Sequence, residues 1–400
     1  MKRRDFLKSS ALASSAFMLP SFLAGFQARG ALGGQLGKKL VVVQLSGGND
    51  GLNTIVPYRN DLYYQSRPTL ALKSTEVLQV SDDLGFNPAL ASLRELYDDG
   101  LVSILNNVGY PYPDRSHFRS MDIWHTASDS SDYLSTGWIG RYLDTMCEGC
   151  DKPWHALEVD DGLSLALKGH QRNGFAVSDI NQLKKTTDSR LLKAIGKYGA
   201  TVQHHEEENV AYLYKVMADT QASAGYLQQQ LQTHRSKSEY PQTPFGKDLK
   251  QIAELMTADS DIRIYYVSLT GFDTHANQKP QQERLLRQYA DGMKAFVQDL
   301  KRNNLMDETL IMTFSEFGRR VQQNGSGGTD HGAANNLFLI GGSLKKAGFY
   351  NPAPKLDKLD DGDLIYDTDF RQIYATVLNR WLDADAKTVL GQTFSPLALV

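Results

Sequence analysis

The stretch that decides the fold is Lys39-Leu-Val-Val-Val-Gln-Leu-Ser46, which runs directly into Gly47-Gly-Asn-Asp50. Its apolar residues are continuous and rich in valine, a pattern typical of a fully buried strand. The two glycines indicate a turn at the end of that strand. We therefore predict a buried strand over residues 39–46, followed by a turn that carries the carboxylate of Asp50.

Strands and helices alternate on the carboxyl-terminal side of this first strand. Asn87-Pro88 predicts the start of a helix with apolar residues on one face, and Gly100 predicts its end. A second strand follows at once, and the same alternation returns late in the chain. The order of strand, helix and strand indicates an α/β fold with a mostly parallel sheet. The further predicted strands are 101–108, 262–269, 309–314 and 336–340, with helices over 281–302 and after Thr368-Asp369.

The middle of the chain has a different character. Residues 150–200 are polar, and residues 206–236 read as one long helix, so we predict a polar and helical insertion over about 150–240. His204 and His205 lie there, and a solvated pair is favoured over a metal site. Cys147 and Cys150 lie where this segment begins. For these two residues, a local disulfide or free thiols are favoured over a functional pair.

Composition excludes several classes of protein. A chain of 400 residues with 41% hydrophobic and 22% charged residues can bury a sizeable core and is not globally disordered. Its 43 basic and 46 acidic residues nearly cancel, which excludes a nucleic-acid binder that works through bulk charge. Two cysteines exclude a four-cysteine zinc site.

The amino terminus is typical of an export signal. Met1-Lys-Arg-Arg-Asp-Phe-Leu-Lys8 is basic, and an apolar stretch over 11–26 follows that is too short for a comfortable membrane span. The paired arginines resemble a bacterial twin-arginine signal. We expect a signal over residues 1–31, a mature domain over 35–400, recognition by the twin-arginine export machinery, a periplasmic or secreted location, and no stable membrane span once the signal is removed.

Polar clusters lie beside the ends of the predicted strands. In an open parallel sheet, ligands bind outside the carboxyl ends of the strands. Each cluster alone is typical of a structural turn, but their coincidence at strand ends favours a shared site. The clusters are 46–53, 114–119, 270–278, 315–320 and 324–332.

These clusters carry side chains that bind divalent metal ions. Carboxylates and imidazoles together suit zinc, manganese or iron, whereas magnesium and calcium prefer oxygen ligands alone. Residues two apart in an extended segment project the same way, so Asp273 and His275 can bind one ion. Glu316 is either a further ligand or a group that orients a ligand or an arginine. The candidate ligands are Asp50, Asp273, His275, Asp330, His331 and Glu316.

Ser116 is the candidate nucleophile. It lies between Arg115 and His117, where a helix begins, and helix amino termini stabilise anions. Ser120 is the alternative nucleophile. Arg115 and Arg319 are candidates for binding phosphate or sulfate oxygens. The predicted catalytic group is therefore Ser116 with His117, Arg115 and Arg319.

The chain resembles the exported DUF1501 family, which is related to alkaline phosphatases and sulfatases. The resemblance spans nearly the whole mature chain and implies an alkaline-phosphatase-like three-layer α/β sandwich. The motifs that carry it are the twin-arginine start, Leu45-Ser-Gly-Gly-Asn-Asp50-Gly-Leu-Asn53, Arg115-Ser-His-Phe118, Asp122-Ile-Trp124, Gly271-Phe-Asp-Thr-His275, Thr313-Phe-Ser-Glu-Phe-Gly-Arg319, residues 325–332, Thr368-Asp-Phe-Arg371 and Tyr374-Ala-Thr-Val377.

The resemblance implies a two-metal site, and this chain differs from the family's pattern of ligands in two ways. Asp50, Ser116, Asp273 with His275, and Asp330 with His331 follow the family's order of first ligand, nucleophile, later pair and final pair. The spacing of Asp273 and His275 is short, and no histidine follows His331, so the last ligand is missing. Glu316, Gln278 or water would then complete the second site. The sulfatase cysteine motif is absent, which favours phosphoryl chemistry.

Three functional hypotheses follow. The first is a metal-dependent hydrolase of phosphate or related anionic esters, acting on an anionic small molecule or polymer. The second is a non-catalytic exported protein that keeps the fold and binds a polyanion, glycan or partner protein. The third, an exported redox protein that uses Cys147 and Cys150, is the least favoured.

Overall fold

The first predicted strand lies in the middle of a nine-stranded sheet in the computed structural model, which describes residues 37–146, 155–189, 208–258 and 260–400. Strand β1, Lys39–Ser46, pairs in parallel with β8, Ile264–Thr270, and with β9, Thr309–Phe314. Val43 lies opposite both Val267 and Thr313. The prediction of a buried strand over 39–46 is therefore confirmed.

The elements alternate along the chain as expected. The strands are β1 Lys39–Ser46, β2 Ile55–Val56, β3 Leu78–Gln79, β4 Gly85–Phe86, β5 Val102–Gly109, β6 Ala156–Val159, β7 Phe175–Ala176, β8 Ile264–Thr270, β9 Thr309–Phe314, β10 Asn335–Gly341, β11 Gly348–Phe349, β12 Leu359–Asp360, β13 Asp363–Leu364 and β14 Thr368–Asp369. The α-helices are α1 Asp61–Ser66, α2 Ala91–Asp98, α3 His117–Thr126, α4 Trp138–Thr145, α5 Ile180–Thr187, α6 Glu208–Thr233, α7 Pro244–Thr257, α8 Gln278–Arg302, α9 Phe370–Thr376 and α10 Ala386–Leu390.

The sheet is mostly parallel, and one internal strand runs the other way. Its order is β11-β5-β10-β9-β1-β8-β6-β7, with β14 also paired to β5. Strand β10 is antiparallel to both of its neighbours, β9 and β5. The residues before β10 therefore lie at the same sheet edge as the residues after β9 and β5. This reversal brings the glycine-rich segment 324–332 to that edge.

Both faces of the sheet are covered, so the domain has three layers. Successive side chains of a strand point to opposite faces, and β1 sends Val41, Val43 and Leu45 into one core and Leu40 and Val42 into the other. The first core includes buried residues of α2, α6, α7 and α8, and the second includes those of α3, α4, α9 and α10. This arrangement confirms the α/β sandwich with a mostly parallel central sheet.

The middle of the chain differs from the expected insertion. The long helix is present as α6, Glu208–Thr233. However, β6 and β7 lie within residues 150–240 and extend the central sheet, with β6 paired to β8. Their period-two signal is too short to stand out from polar neighbours, because β6 has four residues and β7 has two.

Several sequence expectations fall outside the described residues: the signal over 1–31, Cys147 with Cys150, and His204 with His205. The described residues from 39 onward belong to one compact unit. Within the described part of the chain, no helix is both long enough and apolar enough to cross a bilayer.

Candidate functional site

Five polar segments meet at the sheet edge formed by the carboxyl ends of β1, β5, β8 and β9 and the amino end of β10. The segments after β9 and before β10 are joined by hydrogen bonds, including one from the Gly332 amide to the Gly318 carbonyl at 2.9 Å. Two glycines permit the close approach of loops. A Cβ at Gly47 would lie 2.4 Å from the Asp273 nitrogen, and one at Gly328 would lie 2.3 Å from the His275 carbonyl carbon.

Three imidazoles converge on one carboxylate oxygen at this edge. The Nε2 atoms of His117, His275 and His331 lie 3.4, 3.1 and 3.2 Å from Asp273 Oδ1. The ligand atoms of His117, Asp273 and His331 all lie within 4.8 Å of one another. We call these four residues the histidine–aspartate cluster.

Each imidazole of the cluster is hydrogen-bonded through Nδ1 to an oxygen atom. His117 Nδ1 lies 2.8 Å from Glu316 Oε1, and His275 Nδ1 lies 3.1 Å from Asp330 Oδ1. His331 Nδ1 lies 2.7 Å from the carbonyl oxygen of Arg115. A carbonyl or carboxylate oxygen accepts hydrogen bonds, so each Nδ1 carries the proton. The Nε2 atoms therefore present their lone pairs to the cluster.

In the cluster, the three Nε2 atoms and Asp273 Oδ1 are all hydrogen-bond acceptors. They lie close together, and there is not a hydrogen-bond donor for each of them. His275 Nε2 and His331 Nε2 are only 2.9 Å apart. His117 Nε2 is buried and has no hydrogen-bond partner among the described residues. Lone pairs that face one another repel unless a cation lies between them. These donors fit a divalent metal ion, because imidazole held through Nδ1 is the usual protein ligand for such ions.

The charges around the cluster shift its pKa values in different directions. The hydrogen bond to Glu316 raises the pKa of His117, and burial lowers the pKa of His331. Burial alone would raise the pKa of Asp273. The hydrogen bond and the positive charge of Arg319 outweigh that effect and lower the pKa to about 2. Asp273 is therefore a carboxylate at any physiological pH.

Asp50 does not join the cluster, although the sequence marks it as a candidate ligand. Its side chain is 1% exposed, and its Oδ2 accepts hydrogen bonds from Arg67 Nη1 and from Gln278 Nε2, both at 2.5 Å. Gln278, the alternative ligand, is turned toward Asp50 in this way, and its Oε1 accepts from the Thr329 hydroxyl at 2.6 Å. Both side chains are thus occupied by partners within the protein.

Glu316 and Asp330 lie behind the cluster. Glu316 is fully buried, and besides His117 it accepts a hydrogen bond from the Gly47 amide at 2.8 Å. Of the two roles left open for Glu316, this geometry favours the one that orients a ligand. Asp330 does the same for His275, and Asn324 Nδ2 donates to its Oδ1 at 3.1 Å.

The two candidate arginines both donate hydrogen bonds to carboxylate or carbonyl oxygens of the protein. Arg115 donates from Nε to Asp363 Oδ2 at 2.8 Å and also pairs with Asp361. Arg319 is buried and donates to Asp273 Oδ1 at 2.9 Å, and its other donors reach carbonyl oxygens of four residues, Gly47, Gly48, Phe272 and Thr329. The buried Arg319 guanidinium could therefore chelate a substrate anion only by giving up these bonds.

Ser116 is placed at the start of α3, beside the cluster. It is exposed, its hydroxyl does not cap the helix, and it is flanked in the chain by the Arg115 carbonyl that binds His331 and by His117. Ser120 is fully buried instead. Its hydroxyl lies 2.9 Å from the Tyr110 hydroxyl and 2.5 Å from the Asp114 carbonyl oxygen. Ser116 is therefore the accessible serine of the two.

Sequence reasoning missed two features of this edge. It assigned His117 to the catalytic group with Ser116 and not to the metal ligands, whereas the structure directs His117 Nε2 into the cluster. The position of His117 at a helix start after β5 is a signal that could have shown this, because β5 ends at the same edge. Sequence reasoning also missed Arg67, which comes from the segment after α1 and gives no local sign of its role.

Comparisons with known proteins give a family and distant structural likenesses. No curated protein matches the chain. The EptC C-terminal periplasmic domain from Escherichia coli, in complex with Zn, shares 12% identity over 76% of this chain and 72% of its own, with a TM-score of 0.34. The lipoteichoic acid synthase LtaP from Listeria monocytogenes shares 9% identity over 78% of this chain and 67% of its own, with a TM-score of 0.36.

The PsFucS1 sulfatase from Pseudoalteromonas sp. shares 10% identity over 94% of this chain and 75% of its own, with a TM-score of 0.38. These likenesses are remote in both sequence and superposition. The sequence match to a family is of another kind, because it extends over residues 102–390 and includes most of the described elements. The chain therefore belongs to the DUF1501 family, whose description is "Protein of unknown function (DUF1501)".

Proposed function

We propose that this protein is an exported metal-dependent hydrolase of phosphate or related anionic esters, with its metal ion held by the histidine–aspartate cluster. The observation that carries the proposal is the convergence of three imidazole Nε2 atoms on Asp273 Oδ1, each imidazole held through Nδ1. Fixing three imidazoles in these orientations costs side-chain entropy, and a bound cation would remove the repulsion between their converging lone pairs.

The donor set favours zinc among the metals considered, namely zinc, manganese, magnesium and calcium. Three nitrogen donors and one carboxylate oxygen suit zinc, whereas magnesium and calcium select sites made of oxygen atoms. A metal ion bound here would stabilise negative charge on an ester oxygen and on a nearby nucleophile. Metal analysis of the purified chain tests the choice of metal directly.

Ser116 supplies the nucleophile in this proposal. Its hydroxyl oxygen would form a bond to phosphorus as the bond to the alcohol breaks, and the serine proton would leave with the alcohol. Water would then cleave the phosphoserine and restore the hydroxyl. Ser116 is the residue before the first turn of α3, and the backbone N–H groups of that turn would lower the cost of the anion's charge.

The decisive experiment pairs a nucleophile variant with a neighbouring control. Wild-type protein loaded with zinc should hydrolyse members of a panel of aryl phosphate mono- and diesters, and Ser116→Ala should reduce turnover by at least about a thousandfold. The exposed Ser131 lies in a nearby loop, and Ser131→Ala should retain activity. Turnover that survives Ser116→Ala would overturn the assignment of the nucleophile.

A second candidate function is supported by a separate observation. Asp50 pairs with Arg67, and Arg115 pairs with Asp361 and Asp363, so one expected metal ligand and one expected catalytic side chain have partners within the protein. This favours a non-catalytic exported protein that binds an anionic ligand, glycan or partner protein. Metal content without turnover across phosphate, phosphonate and sulfate esters would support this candidate over the hydrolase.

A further inference from the structure

Two buried arginines bind the carboxylates at this edge: Arg319 donates to Asp273 of the histidine–aspartate cluster, and Arg67 pairs with Asp50. We infer that Arg67 and Arg319 supply the positive charge at this edge that a second metal ion would otherwise bring, so that the chain binds one metal ion and Asp50 is not a ligand. The inference rests on the proposed function, because it concerns the number of ions at that same site.

Arg67 binds Asp50 in the interior of the protein. Both side chains are buried, and Arg67 Nη1 lies 2.5 Å from Asp50 Oδ2. Arg67 is anchored on its other sides as well, with Nε donating to the Val321 carbonyl at 2.8 Å and Nη2 to the Arg320 carbonyl at 2.9 Å. A guanidinium held at three points is a cation fixed in position.

Arg319 places a second fixed cation beside the cluster. Its side chain is fully buried, and its Nη2 donates to Asp273 Oδ1, the same oxygen on which the imidazoles converge. Its Nε donates to the Gly48 carbonyl at 2.6 Å, two residues before Asp50. Arg319 therefore holds the segment that leads to Asp50 against the cluster, with a fixed positive charge at the junction.

Asp50 has too few neighbouring ligands to hold a metal ion. Its free oxygen, Oδ1, is buried and has no hydrogen-bond partner among the described residues. One oxygen alone does not make a metal site. In the described part of the chain, the histidine, cysteine or acidic side chains that come close enough in threes to share an ion are those of the cluster, and Asp50 is not among them. A metal ion that binds Asp50 Oδ2 would also have to displace the buried Arg67 guanidinium, which leaves charges unpaired.

Metal stoichiometry tests the inference. The full chain is purified without chelator, loaded with excess zinc, freed of unbound ion by gel filtration, and analysed for zinc per chain. We expect one zinc ion in wild type and one in Asp50→Asn, with loss of zinc in His331→Ala. Two ions in wild type, or loss of the single ion in a folded Asp50→Asn, would overturn the inference while leaving the proposed metal site intact.

A spectroscopic measurement separates this result from failure of the proposed function. Cobalt replaces zinc in the same protein, and its visible absorption reports the donor atoms without any turnover. The spectrum of Asp50→Asn should match that of wild type. The affinity of Asp50→Asn for cobalt should fall by less than roughly tenfold, which is the loss typical when a group that orients a ligand is removed. If Asp50→Asn does not fold, the wild-type stoichiometry alone decides. No zinc in wild type would overturn the inference and the proposed function together.

Discussion

Glu316 shows how a single buried side chain supports the site without touching a substrate. It is fully buried, and its Oε1 accepts from both the Gly47 amide and His117 Nδ1, each at 2.8 Å. It therefore fixes the rotation of the His117 ring and joins the loop after β1 to the start of α3. A negative charge in this position also makes the imidazole a stronger ligand.

Glu316→Gln is expected to weaken zinc binding by about 10- to 100-fold, because the neutral amide no longer favours the proton on His117 Nδ1. A competition titration against a chromophoric chelator measures this affinity. Glu308 is exposed and lies outside the cluster, so Glu308→Gln should leave the affinity unchanged. Equal affinities for Glu316→Gln and wild type would show that Glu316 does not support a ligand.

Glu158 predicts a pH dependence of stability away from the site. It is 2% exposed at the end of β6, and burial raises the pKa of its carboxyl from 4.5 to about 7. Between those values the folded state keeps the proton that the unfolded chain has lost, so stability falls as the pH rises. The expected loss is about 3 kcal/mol between about pH 5 and about pH 8.

Denaturant unfolding at the two pH values measures that loss. Glu158→Gln has no ionisable group at this position and should show a smaller decrease between acidic and basic buffer than wild type. Both proteins share every other titrating group, so the difference between them isolates Glu158. An identical pH dependence in the two proteins contradicts a raised pKa at this residue.

At this scale, residue type and strand position predict the site only in part. Asp273, His275 and His331 follow or precede predicted strands, and the structure brings them together at one edge. The bond between Asp50 and Arg67 could not be predicted, because it depends on the path of the chain through α1 rather than on any local pattern. Burial of an arginine against a carboxylate is decided by packing, which a sequence pattern does not report.

The hairpin of β12 and β13 is the element that holds Arg115. Its turn is Asp361-Gly362, and both residues have positive φ, 49° and 84°. Asp-Gly is the pair favoured in tight two-residue hairpin turns. The turn presents Asp361 and Asp363 to the Arg115 guanidinium. The element therefore restrains the loop that leads to Ser116.

Gly362→Ala should destabilise the protein by about 1 kcal/mol, since a side chain disfavours positive φ. A Cβ there would meet only Arg320 Nη1 at 3.5 Å, so the cost is conformational rather than steric. Gly162 is exposed, has no positive φ, and a Cβ added to it would meet nothing within 4 Å, which makes Gly162→Ala the matched control. Urea unfolding of both variants compares the two costs, and equal losses would contradict a conformational penalty at Gly362.

Elements were the most predictable level of this fold. The strand over 309–314 and the buried strand over 39–46 were predicted with the observed bounds, because long apolar runs and glycine turns are local signals. The reversed direction of β10 was not predicted, since direction depends on which neighbours a strand pairs with. That reversal is what brings His331 to the edge where β9 ends.

At the scale of the whole molecule, the cluster joins segments that are far apart in the chain. His117 begins α3, Asp273 and His275 follow β8, and His331 precedes β10. A metal ion that binds all of them stabilises the folded state and not the unfolded chain. Free zinc at about a thousand times its Kd would contribute about 4 kcal/mol to the free energy of unfolding.

Removal of zinc by a chelator is therefore expected to lower the Tm of wild-type protein by several degrees. Thermal unfolding followed by circular dichroism, with and without chelator, measures the shift. His331→Ala should show no shift, because the ion is already lost. His170 is exposed and lies outside the cluster, so His170→Ala should keep the wild-type shift. A chelator effect that persists in His331→Ala would place the stabilising ion elsewhere.

The central position of β1 also determines the order in which this protein can assemble during synthesis. Strand β1 is made early, yet its two neighbours in the sheet begin at Ile264 and Thr309. Both edges of this valine-rich strand therefore stay unpaired until more than half of the chain has left the ribosome. Pairing between strands so far apart in the chain slows folding and leaves an apolar segment open to aggregation until both neighbouring strands have been made.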